Sequence, residues 1–291
     1  MRVLLAIDGS EQSFHATQAV MSLTSVSTLT VLHVVDLTRL TFSMLGAELG
    51  AEIAHDLSKE AEQALRADGE RALSRAKTIL SGKFECMNFQ LEEGSPAELI
   101  LSVAQENHSD LILMGARGMG QVEQLLLGSV SQRVLSHAAC PVLIVNRPLP
   151  EMRKILIAIQ SPDDVQKVKR FLNKHPFHSQ TDITLFSVVP IPRSLFRGGV
   201  SAPEEKIEQA LRSTETFLDQ AVSQLKDCYE SVKGYVGLGA PADTILEQAT
   251  ITEPDLMVMG IHHPSTITRF VLGTVSHTVL HQVTRPILVI R

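Results

Sequence analysis

The sequence contains no tryptophan, and aromatic residues of all kinds make up only 4% of its 291 residues. A surface that stacks unpaired bases needs exposed aromatic platforms. The chain also lacks an excess of positive charge: its formal net charge is −6 at pH 7. That argues against a broad face that neutralises a phosphate backbone, so no nucleic-acid partner is expected. A small anion site made of backbone N–H groups needs no net positive charge and stays open. Cysteine is sparse: Cys86, Cys140 and Cys228 form an odd set that makes no disulfide framework and fits a reducing compartment. No CxxC or Cys/His cluster suggests zinc. Cys86 and Cys140 lie in or beside apolar runs and are expected to be buried. No apolar stretch reaches membrane-spanning length. The opening MRVLLAIDGS reaches Asp8 after five apolar residues, too few for a signal-peptide core. The expectation is a soluble cytoplasmic protein with no membrane partner.

What is present is a repeat. VLLAID (Val3 to Asp8) returns as ILIAIQ (Ile155 to Gln160), and GSPAELIL (Gly94 to Leu101) as GAPADTIL (Gly239 to Leu246). DLILMGARG (Asp110 to Gly118) matches DLMVMGIHH (Asp255 to His263), and LLGSVSQRVLSHAACPVLIV matches VLGTVSHTVLHQVTRPILVI. The second copy is about seven residues shorter before these later matches, a loss that a surface loop tolerates. Two domains are expected, residues 1–146 and 153–291, joined by NRPLPEMR (Asn146 to Arg153) with its two prolines.

Each copy alternates strands and helices. In the first, short Val/Ile/Leu-rich runs predict strands at Arg2 to Ile7, Thr28 to Val35, Glu85 to Leu91, Leu111 to Met114 and Val142 to Val145. Helices are predicted at Ser58 to Leu80 from its amphipathic spacing, at Ala97 to Glu106 after Pro96, and at Val130 to His137 with Ser129 as N-cap. The fold class is α/β: two tandem, doubly wound, Rossmann-like domains, each with a mostly parallel five-stranded sheet.

Ligands of open α/β sheets bind beyond the carboxyl ends of the strands, near the switch in strand order. Asp8 follows the first strand there, and Gly115-Ala-Arg-Gly118 follows the fourth, with Gly128-Ser129 at a helix start. Gly115 and Gly118 are expected to turn with positive φ and to let a ligand approach the backbone. Their N–H groups would form an anion nest, and the helix start at Gly128 and Ser129 a second donor set. Ser129 and Ser131 add hydroxyls, and Arg117 reaches toward a terminal phosphate. Asp8 would accept from a ribose, hold a cation beside the phosphates, or cap the next helix. A glycine pair after a strand is also compatible with a plain tight turn, and Ser129 with a plain cap.

These segments, with the pattern G-x2-G-x9-G-[S/T] at Gly115, Gly118, Gly128 and Ser129, resemble the universal stress protein family in its tandem two-domain form. The resemblance covers nearly the whole chain. It implies the adenine nucleotide alpha hydrolase-like variant of the fold, and ATP binding, with Mg2+, in the first domain. By that resemblance Ala6, Ile7, Asp8 and Val34 form the adenine side. Met114 and Gly115 line the nucleoside, and Arg117, Gly118, Gly128, Ser129, Val130 and Ser131 hold the phosphates. The family is associated with stress response and with regulation through nucleotide-dependent conformation or an unidentified protein partner.

The second copy departs at two places: Gln160 stands for Asp8, and His263, followed by Pro264, stands for Gly118. It is expected to bind ATP weakly or not at all, unless His263 itself donates to phosphate. His262 and His263 are adjacent, seldom point at one ion and have no evident third ligand, so no metal site is expected. The Walker pattern GxxxxGK[ST] is missing, and no base is evident for in-line attack. A nucleotide-dependent regulator is therefore the leading reading. A slow ATP hydrolase or phosphotransferase and a scaffold without nucleotide stay open. The apolar last strands, Pro141 to Val145 and Pro286 to Ile290, are edges that would pair with one another in an internal pseudo-dimer, with further homodimerisation open.

Overall fold

A computed structural model describes residues 1–37, 51–118, 127–149, 151–191, 204–260 and 273–291. His262, His263 and Pro264 lie outside the described residues. The chain divides into two compact units, one of Met1–Met21 and Val26–Pro148, the other of Ser22–Ser25 and Leu149–Arg291.

The first unit runs β1 (Arg2–Ile7), α1 (Glu11–Val20), β2 (Thr28–Val35), α2 (Ala51–Leu80), β3 (Met87–Glu93), α3 (Pro96–Glu106), β4 (Leu111–Gly115), α4 (Ser129–His137) and β5 (Val142–Val145). Its strands lie in the order β3-β2-β1-β4-β5, every pair parallel. The chain builds outward from β1 on one side, then returns to add β4 and β5 on the other. The switch point therefore falls between β1 and β4, where Ala6 is in register with Met114. Helices cover both faces, and the strand interiors are dry: Leu4, Leu5, Leu29, Ile112 and Leu113 have no exposed surface. This explains the unbroken apolar runs of the sequence.

The second unit repeats the plan: β6 (Lys154–Ala158), α5 (Pro162–Leu172), β7 (Asp182–Pro190), α6 (Glu204–Leu225), β8 (Val232–Gly239), α7 (Pro241–Thr252), β9 (Leu256–Gly260), α8 (Thr274–Gln282) and β10 (Ile287–Ile290). Its parallel order is β10-β9-β6-β7-β8. Its switch point lies between β6 and β9, with Ala158 opposite Met259. No helix among the described residues is long and apolar enough to cross a membrane.

Three local expectations change. β3 begins at Met87 rather than Glu85. That leaves Cys86 exposed, and Cys140 is half-buried, so neither is the core residue its apolar neighbours implied. The helix after Gly128 starts at Ser129, with Gly128 as N-cap and no side-chain cap bond, so Ser129 is the first helical residue and not the cap.

Candidate functional site

The carboxyl ends of β1, β2 and β4 open into one pocket with about 1010 Å³ of empty volume, including its open mouth. Ala6, Ile7, Asp8, Val34, Met114, Gly115, Arg117, Gly118, Gly128, Val130 and Ser131 all line it. Ser129, alone of the expected residues, does not. The position of each follows from the topology. β1 and β4 are neighbours at the switch point, so the turns that leave them face each other although more than a hundred residues of chain separate them.

The β1 turn is set by Asp8. Its Oδ1 accepts from the Ser10 backbone N–H at 3.0 Å and from the Ser10 hydroxyl at 2.6 Å. Ser10 is itself the N-cap of α1, its Oγ accepting from Ser13 N–H. Asp8 therefore braces the cap instead of serving as it. Gly9, at φ +84°, makes the left-handed step that brings the chain from Asp8 round to Ser10.

The two glycines of the β4 turn answer to contact, not to backbone conformation. Neither Gly115 nor Gly118 has a positive φ, contrary to the expectation from their spacing. A Cβ on Gly115 would lie 2.9 Å from the backbone of both Gln12 and Ser13, where α1 starts. A Cβ on Gly118 would collide with Asp8 Oδ2. The loop is closed by main-chain and side-chain bonds. Arg117 N–H donates to Gln12 Oε1 at 2.8 Å, Gly128 N–H to Ala116 C=O at 2.8 Å, and the buried Ser131 hydroxyl to Gly115 C=O at 3.0 Å. The hydroxyl proton of Ser131 is thus directed at the loop's own backbone.

Several lining residues lie outside the expected set. Pro96 and Ile100 come from α3, Leu65 and Asp68 from α2, and His33 from β2. His33 is 7% exposed. Burial pushes its pKa below the usual 6.5, against the opposing pull of the Asp8 and Asp68 carboxylates and a hydrogen bond to the Ile7 backbone. Among the described residues no cluster of three or more His, Cys, Asp or Glu side chains is placed to hold a metal ion.

The matching edge of the second unit is smaller, with about 470 Å³ of empty volume. Only Gln160 separates Ile159 from the N-cap Ser161, so this turn is one residue shorter than Asp8-Gly9. The third helical residue, Ser13 in α1, is Asp164 in α5. Its buried carboxylate accepts from Gln160 N–H, Ser161 N–H and the Ser161 hydroxyl. Sheet register puts Phe186 where the first unit has Leu32. Ser276 keeps the bond that Ser131 makes, to Gly260 C=O, at 3.4 Å.

The family model described as the universal stress protein family matches residues 1–146 and 151–291. A universal stress protein of Methanocaldococcus jannaschii is 32% identical over 52% of this chain and 84% of its own length. A universal stress protein of Mycobacterium tuberculosis is 25% identical, covering 99% of this chain and 96% of its own. The crystal structure of a universal stress protein from Archaeoglobus fulgidus superposes with a TM-score of 0.58 at 19% identity, over 99% of this chain and 95% of that one, a likeness of fold. With the same family matched in each half and a tandem relative aligned from end to end, this chain belongs to the universal stress protein family.

Proposed function

We propose that the first unit binds ATP and that the chain acts as a nucleotide-dependent regulator in the stress response. One observation carries the reading: one pocket at the switch point gathers Asp8, the Gly115–Gly118 turn and the start of α4. Its apolar part, with Ala6, Leu32, Val34, Ile100, Met114 and Val130, suits a base. Its rim offers the N–H groups of a loop and a helix start, where anions are favoured. Asp8 is the acceptor for ribose hydroxyls. Mg2+ would arrive on the phosphate oxygens, with Asp8 as the adjoining carboxylate. Regulation then requires that the nucleotide bind two states of the chain with different affinity.

Isothermal titration of the full chain tests this. One ATP per chain is the expected stoichiometry, because the second unit's pocket is smaller and its turn is one residue shorter. A stoichiometry near two would remove the asymmetry, and no binding would remove the function. Nucleotide released from purified, denatured protein gives a second readout: ATP indicates retention without turnover, whereas ADP alone would favour hydrolysis.

A further inference from the structure

His33 lines the pocket of the first unit, yet the nucleotide assignment gives it no task. Its ring is buried, and Nδ1 has no hydrogen-bond partner among the described residues. A residue far away in sequence makes room for it. Gly69 lies inside the long helix α2, where glycine is a poor helix former. A Cβ there would stand 2.7 Å from His33 Cδ2 and from Leu91 Cδ1. The helix thus gives up propensity to seat this imidazole against the sheet.

The charged groups around the ring come from several elements. Asp8 follows β1 and Asp68 projects from α2, and both act on His33 electrostatically. Asp36, at the end of β2, and Arg117, after β4, line the same pocket. β3 sets apolar Leu91 in register with His33, and its Glu93 is ion-paired with Arg66 of α2.

We propose that His33 is a positioning residue for Asp8 that makes ligand binding proton-dependent. The neutral ring leaves the Asp8 carboxylate to the hydroxyls of a bound nucleoside. The protonated ring draws that carboxylate to itself and weakens binding. This rests on the reading that a nucleoside occupies the pocket. Burial lowers the ring's pKa from its usual 6.5, so the ring is neutral at pH 7 and takes up its proton on acidification. The second unit holds an internal contrast: sheet register puts Ser187 at this position, with no titrating side chain.

Adenosine is the probe, because it has no phosphate that titrates near neutrality. A ligand that needs the neutral ring loses about tenfold in affinity per pH unit below the ring's pKa. Titration calorimetry of the full chain between pH 8 and pH 5 should show affinity falling toward acid. His33→Gln should bind adenosine with a flat profile. Asp68→Asn should shift the fall to lower pH, because it removes a carboxylate that favours the imidazolium. A measurement without substitution guards against misfolded variants: saturating adenosine should lower the NMR titration midpoint of the wild-type His33 ring. A flat wild-type profile, a fall retained in His33→Gln, or a midpoint unchanged or raised by adenosine overturns the proposal. If neither adenosine nor ATP binds at any pH, the nucleotide reading fails, and this proposal with it.

Discussion

The two units share element order, strand order and switch point, and differ at the edge where a ligand would sit. The first keeps a two-residue turn after β1, with Asp8 braced by Ser10 and Gly118 pressed against the same carboxylate. The second has only Gln160 between Ile159 and its N-cap Ser161, an internal carboxylate from Asp164 and a larger side chain at Phe186. That ring needs its own space: a Cβ on Gly237 would stand 2.6 Å from Phe186 Cζ, and Gly237 occupies the place of Glu92. A shared framework therefore tolerates divergence at its rim, and the residues that diverge together are those in contact. Asp8 and Gly118 are one feature. Losing the carboxylate removes the reason for the glycine, and adding a side chain displaces the carboxylate.

The largest effect should come from copying the second unit's departure into the first. Gly118→His is expected to weaken ATP binding more than a hundredfold, about 3 kcal/mol, as read by calorimetry. Unchanged affinity would end the comparison. Gly118→Ala is the milder version, and in the double variant with Asp8→Ala the two losses should be less than additive, since the clash requires the carboxylate.

Next comes stability. Gly69→Ala should destabilise the chain by about 1–3 kcal/mol through overpacking against His33 and Leu91, despite alanine's better helix propensity. Urea unfolding checks this, and a stabilised variant would show that the ring is loosely seated.

A smaller effect should separate the two serines. Ser131→Ala should cost about 1 kcal/mol, and Ser276→Ala less, since its bond to the loop carbonyl is 3.4 Å against 3.0 Å. Equal costs would mean that both loops are held alike.

The smallest effect is a pH dependence of stability. The folded-state pKa of His33 is depressed, so its contribution is fully present above the unfolded value of 6.5 and is lost as pH falls below it toward the folded value. His33→Gln should flatten that part of the curve in thermal unfolding. An unaltered curve would assign the acid sensitivity to other groups.

Much of the site was legible in sequence because its parts carry local signals. Asp8 ends an apolar run, and Gly115, Gly118 and Gly128 mark turns at the edge where ligands bind. The rest had no local mark. His33 sits inside a strand, Asp68 and Gly69 inside a long helix, and nothing in their neighbours distinguishes them from ordinary strand and helix residues. The role of the β4 glycines was also hidden. Spacing cannot tell a glycine needed for positive φ from one needed for close approach, and here both serve close approach.

Sequence alone determined the repeat, the strand–helix alternation and most of the residues that line the pocket at the switch point. Hydrophobic periodicity and turn chemistry act over a few residues and survive in any one segment. Tertiary structure decided which distant groups share a pocket. Parallel pairing of β1 with β4 brings the turns beyond them together, so that Gly118 lies against the Asp8 carboxylate, and helix–sheet packing seats His33 beside Asp68. Such contacts depend on how whole elements align across the sheet, and no short window of sequence encodes that alignment.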